Sequence, residues 1–187
     1  RSMVLIYFIL ELDNFTDFDA HYFPEQEIIF SRMSEPKIYA NSDLPKGKTG
    51  LCFEIPCDFK DAFWEMDKLS LANLIIRDLK KYNLSVKGKL HSVIKKQVRH
   101  AYPIYDLDFE EHFSTLDDFI NNQEKLISLG RQGLFAHDNL HHTVEMALCG
   151  TKCLRSDLTW DNDKWKNYRM EFEKNVVVGP YARLRPG

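Results

Sequence analysis

Three histidines, an arginine between two glycines and several apolar residues crowd into one stretch of this 187-residue chain, Leu129 to Ala147. His137 and His141 stand four positions apart, His142 adjoins them, and Glu145 follows four positions after His141. On a helix such spacing sets two imidazoles on one face, as a metal site requires. Asp138 follows His137, however, so the H-E-x-x-H order of a zinc protease is not met. Polar residues at a helix start, facing a ligand or solvent, are the plainer reading, and no metal is expected. Ahead of them lies Gly130-Arg131-Gln132-Gly133, and Asp138 or Asn139 can cap the helix that follows. Backbone N–H groups at a helix start can hold an anion or an electron-rich oxygen, and Arg131 adds a fixed positive charge. A plain strand-loop-helix connection, with Arg131 paired to a surface carboxylate, accounts for these residues equally well.

Other chemistries lack their residues. There is no G-x-S-x-G elbow for a serine hydrolase. Gly47-Lys48-Thr49 lacks the earlier glycine of a phosphate-binding loop. No G-x-G-x-x-G fingerprint follows a strand, so the usual βαβ route to a dinucleotide is closed to this chain alone. Cys52, Cys57, Cys149 and Cys153 form neither a C-x-x-C pair nor a disulfide framework, and a reducing, cytoplasmic setting is expected.

The elements that must position these residues follow from composition and periodicity. With 44% hydrophobic and 28% charged residues the chain reads as folded and globular. Its formal net charge of -3 argues against a nucleic-acid binder, which depends on cations facing phosphate. Met3 to Leu10 is apolar but far short of the ~18 residues of a membrane span, and reads as a strand buried on both faces. A chain opening inside such a strand looks like a piece of something longer. Further strands are expected over 27–32, 51–55, 93–105 and 125–129, and helices over 63–82, 107–121 and 139–154. The implied class is α+β: a mixed, mainly antiparallel sheet with helices packed on one side. Residues 1–154 read as one domain. Residues 155–187 hold aromatic clusters without a clear period, from Trp160 to Tyr181, and read as a tail or docking arm.

Gly130-Arg131-Gln132-Gly133-Leu134-Phe135, then Asp138-Asn139 and a helix, resembles the C-terminal flavin-contacting segment of the flavin amine oxidase superfamily. Its protoporphyrinogen oxidase-like and UDP-galactopyranose mutase-like members are the nearest in pattern. Three more pieces lie in the family's order. The opening run from Arg1 to Tyr7 resembles the strand entering the substrate domain. Phe30 to Lys37 resembles an R-x-x-E-x-K stretch, and Ala101 to Tyr105 a Tyr-Pro stretch ahead of the last helices.

The resemblance implies a substrate-binding domain with its C-terminal flavin segment, part of a FAD-dependent oxidoreductase acting on a small molecule. It places Gly130 and Arg131 near the flavin ring, and the backbone of Asn139, Leu140 and His141 against the flavin carbonyl and ribityl side. Arg32 and Tyr102 would line the substrate cleft. Phe135 falls where mutase-type members carry a tyrosine, which weakens a sugar-nucleotide reading. The FAD-binding βαβ unit has no counterpart here. FAD is therefore expected only with a missing N-terminal half, supplied by a FAD-binding domain or a second chain. The chain alone is expected neither to hold FAD tightly nor to turn over. The competing expectations are a mutase-like sugar-nucleotide enzyme and a non-catalytic assembly module that kept the fold.

Overall fold

The computed structural model describes residues 1–123 and 126–174. The chain divides into two compact units, residues 1–102 and 103–187. The expected boundary at 154/155 falls inside the second unit.

The first unit is built on a five-stranded sheet of order β2-β3-β4-β1-β5, comprising β1 (Ser2–Glu11), β2 (Ala20–Tyr22), β3 (Arg32–Ser34), β4 (Thr49–Cys57) and β5 (Lys89–Val98). All its strand pairings are antiparallel. On β1 every second residue, Val4, Ile6, Phe8 and Leu10, is wholly buried, while Leu5, Tyr7 and Ile9 between them are half-buried. The apolar run is thus buried fully on one face and only partly on the other, because a single helix layer covers it.

That layer is α3 (Lys68–Lys81), which lays Leu71, Ala72, Ile75 and Leu79 onto Val4, Ile6 and Phe8 of β1 and Leu51, Phe53 and Ile55 of β4. Phe53 anchors the centre, with the rings of Phe8 and Phe30 at 4.9 and 5.1 Å. The expected helix over 63–82 is two helices. Met66 is extended at ψ 139, and Asp67 restarts the chain by accepting the N–H groups of Leu69 and Ser70. A short turn, α2 (Ala62–Glu65), precedes it, capped by Asp61. Asp78 of α3 is wholly buried and accepts the Ile29 N–H at 3.2 Å, with Arg77 and Lys81 on its other oxygen. This holds residues 27–31 as a turn. The strand expected there starts only at Arg32.

The E-x-K part of the 30–37 stretch ties loops together. Glu35 caps α1 (Pro36–Tyr39) and is buried, accepting the N–H groups of Phe15 and Thr16 and the hydroxyl of Thr49. Lys37 is also buried, and its ammonium donates to the carbonyls of Asp13, Pro45 and Lys48 at 3.0, 2.9 and 3.2 Å. The two ends of this unit meet: the N-terminal ammonium of Arg1 donates to the Tyr102 carbonyl at 2.7 Å, and the Ala101 N–H returns to Arg1 at 3.0 Å.

The second unit is helical among its described residues: α4 (Phe109–Asn121), α5 (Gly130–Gly133), α6 (Leu140–Cys153) and α7 (Asn162–Phe172). Its core joins Met146, Cys149 and Cys153 of α6 to Trp165 and Phe172 of α7. The aromatic tail is therefore in part a helix packed on α6. Its Tyr181 lies outside the described residues, as does Lys125. Residues 126–129 form no strand, and the glycine-arginine turn is one helical turn instead.

Candidate functional site

Two glycines shape the 130–133 turn. Gly130 has φ +79, and a Cβ there would stand 3.2 Å from the Thr143 methyl. A Cβ on Gly133 would stand 2.7 Å from the Ser128 hydroxyl, which itself donates to the Gly133 carbonyl. Gly130 is buried and its N–H reaches the Met146 sulfur at 3.3 Å. The turn then closes in a Schellman pattern: Ala136 N–H to the Arg131 carbonyl at 3.0 Å and Phe135 N–H to the Gln132 carbonyl at 3.4 Å. The position that normally carries glycine in this motif is Phe135, at φ 51.

The Phe135 ring is the hub of an aromatic cluster. Phe109 and Phe113 of α4 stack on it at 6.2 and 6.4 Å, and Tyr105 meets it edge-on at 5.9 Å. The Tyr105 hydroxyl donates to the Phe135 carbonyl at 2.9 Å. Burial foremost, then the charge of Asp138, hold the Tyr105 phenol above its ordinary pKa, against a backbone hydrogen bond at His137 and the charge of Arg131. These rings wall a cavity of about 650 Å³ inside the second unit. Leu134 to Asp138, Met146 of α6, and Arg169, Phe172 and Glu173 at the end of α7 complete it.

Asp138 and the start of α6 adjoin the cavity. Asp138 is buried, with one carboxylate oxygen 3.2 Å from Nδ1 of His142. Asn139 is the N-cap residue, and its N–H donates to the same His142 nitrogen at 3.3 Å in a capping box. The capping box engages the backbone at Asn139 and His142, not the N–H groups of Leu140 and His141 between them. Leu140 is 82% exposed. Among the described residues no three His, Cys, Asp or Glu side chains are grouped to hold a metal.

The eight residues singled out in the sequence divide between the units. Gly130, Arg131, Phe135, Asn139, Leu140 and His141 follow one another through α5 and the start of α6, and of these Phe135 lines the cavity. Arg32 and Tyr102 belong to the first unit. Arg32 is a half-buried partner of Glu54 on the neighbouring strand. Burial opposes its charge, but hydrogen bonds to Glu54 and Tyr22 outweigh that and raise its pKa. β4 and β1 stand between the strands leading to Arg32 and Tyr102, an offset of roughly 14 Å at about 4.8 Å per strand. The sequence reading missed Tyr105, Asp138 and Arg169 as cavity residues. Only the aromatic spacing of Tyr105, Phe109 and Phe113 carried a signal.

This fold has counterparts among solved structures. A reduced UDP-galactopyranose mutase matches with TM-score 0.57 at 18% identity, over 71% of this chain and 28% of its own. A structure from Exiguobacterium sp. 255-15 assigned as a protoporphyrinogen oxidase matches with TM-score 0.52 at 12% identity, over 66% of this chain and 28% of its own. The likeness is one of fold. The chain spans about 28% of the length of each of these structures. No protein-family model matches it, and no curated protein matches it.

Proposed function

We propose that this chain is the substrate-binding portion of a FAD-dependent oxidoreductase of the amine oxidase or protoporphyrinogen oxidase kind, completed by a FAD-binding half elsewhere in the polypeptide or on a second chain. The observation that carries the proposal is the fold shared over 71% of the chain with part of a UDP-galactopyranose mutase and over 66% with part of a protoporphyrinogen oxidase. The order of the four sequence segments supports the same assignment.

The residues present fit one end of the cofactor. The N–H groups of Leu140 and His141, in the first turn of α6 and outside its capping box, suit a flavin carbonyl. Gly130, whose N–H is taken by the Met146 sulfur, and Arg131 precede them on α5, and a positive charge such as that of Arg131 stabilises the negative charge of a reduced ring. The pyrophosphate end has no counterpart, because the described sheet is antiparallel throughout and offers no βαβ crossover. Bound FAD would supply the two-electron chemistry, and the chain's own task would be to bind and orient substrate, with Phe135 of the second unit as a contact. The four cysteines are free and buried, which supports a cytoplasmic setting. No described helix is long and apolar enough to cross a membrane.

A mutase-like sugar-nucleotide enzyme is the second reading, favoured by the higher TM-score of 0.57 against 0.52. Phe135, lacking a hydroxyl, stands against it.

The test is to isolate the native protein that carries this chain and read its flavin absorbance and its full sequence. About one FAD per chain is expected, with a dinucleotide-binding unit on the same or a co-purifying chain. A flavin-free protein without such a unit, which added FAD fails to stabilise, overturns the proposal. UDP and UDP-galactose raise the melting temperature only under the mutase reading, since a ligand selective for the native state must stabilise it.

A further inference from the structure

We infer that the cavity of the second unit is a binding site for a small organic cation, a flat apolar body carrying a positively charged N–H donor, with Asp138 as its counter-ion. The inference shares Phe135 with the preceding reading and names a ligand class for that site, but its test uses no flavin, so the two can fail separately.

Asp138 is the decisive residue. It is only 6% exposed and lines the cavity. Its Oδ1 faces His142 at 3.2 Å, while Oδ2 is buried and accepts no hydrogen bond from the protein among the described residues. A carboxylate oxygen withdrawn from water and left without a donor is strongly unfavourable, and native folds keep such a group where a partner completes it. Two donors of the lining are committed elsewhere. The Tyr105 hydroxyl donates to the Phe135 carbonyl, and the guanidinium of Arg169 gives both terminal nitrogens to Asp117 at 3.0 Å each.

The rest of the lining agrees on the sign of the missing charge. Glu110, Asp138 and Glu173 contribute three carboxylates against one guanidinium, Arg169, which Asp117 already balances. The imidazole of His137 is a further titratable side chain on the wall. The π faces of Tyr105, Phe109, Phe113 and Phe135 attract cations and reject anions. A volume of about 650 Å³ falls in the range of pockets that enclose a small organic ligand.

An isosteric series tests the assignment: benzamidinium, benzamide and benzoate titrated into the full chain at neutral pH, followed by backbone amide NMR shifts. Benzamidinium is expected to move the amides of Phe135 to Asn139 and to bind about tenfold or more tighter than benzamide, a step of about 1.4 kcal/mol. Benzoate is expected to leave those amides in place. Asp138→Asn, checked for fold by the same spectrum, should bring benzamidinium down to the benzamide level. Equal binding of the cation and the amide, shifts clustered outside the cavity, or undiminished binding by a folded D138N overturns the inference. Should D138N not fold, the three-ligand comparison on the unsubstituted chain decides by itself.

Discussion

Arg169 grips Asp117 with both terminal nitrogens, each 3.0 Å from a separate carboxylate oxygen, and so fastens α7 to α4. Both side chains are mostly buried, at 14% and 16% exposure, which lifts the pair above the usual surface ion pair. Arg169→Lys keeps the charge but loses the fork. It is expected to lower the stability of the second unit by about 1–3 kcal/mol. Asp117→Asn should do likewise, and the double variant should lose less than the sum of the two. Additive losses in urea unfolding would show that the fork contributes nothing.

Phe135 occupies the glycine position of a Schellman turn at φ 51, so its backbone and its side chain pull in opposite directions. Phe135→Ala loses the ring and keeps the strained backbone. Phe135→Gly loses the ring and relieves the strain. The glycine variant is therefore expected to be the more stable by about 1 kcal/mol, the reverse of the usual alanine-glycine order. Thermal unfolding of the two variants side by side checks this.

Lys37 donates to three carbonyls from a buried position, joining the 13–16 and 45–48 loops. Lys37→Met fills similar space but leaves those carbonyls short of a donor. It should destabilise the first unit by about 2–4 kcal/mol, whereas Lys46→Met, at an exposed site, should stay within about 0.5 kcal/mol. Equal effects would contradict the assigned role.

Asp78 gives the first unit an acid sensitivity. Burial alone would raise its pKa, but the Ile29 N–H, Lys81 and Arg77 together lower it. A carboxyl depressed in the folded state adds stability above its unfolded pKa, about 3.9. That contribution is lost as the pH falls from there through the folded value. Stability is therefore expected to decline below about pH 4, and Asp78→Asn should be weaker at neutral pH with a flatter acid limb. A denaturant series from pH 6 to pH 2 measures both. An Asp78→Asn limb as steep as that of the unsubstituted chain would assign the acid sensitivity to other groups.

The strands and long helices were legible because their apolar residues repeat at the period of the element. β1, α4 and α6 stand close to where the periodicity put them. What the pattern did not reveal came from single polar residues. Asp67 divides one expected helix into two by offering its carboxylate to backbone N–H groups. Asp78 turns an expected strand into a turn by capturing the Ile29 N–H. In the candidate site the glycines and the helix start were readable, whereas the burial of Asp138 depends on packing that no local pattern encodes. α7 was hidden for a similar reason. Its inner face is an i, i+3, i+7 stripe of Trp165, Tyr168 and Phe172, three rings set among charged and polar residues that blunt the apolar contrast of the pattern.

The meeting of Arg1 with Tyr102 has a topological meaning. A polypeptide that enters the first unit at one of these residues and departs at the other uses a single doorway one hydrogen bond wide. Such a module can be carried on a loop of a host domain without stretching it, since closing a gap that is already closed demands almost no chain entropy. Neighbouring ends of this kind are what insertion of one domain into another requires.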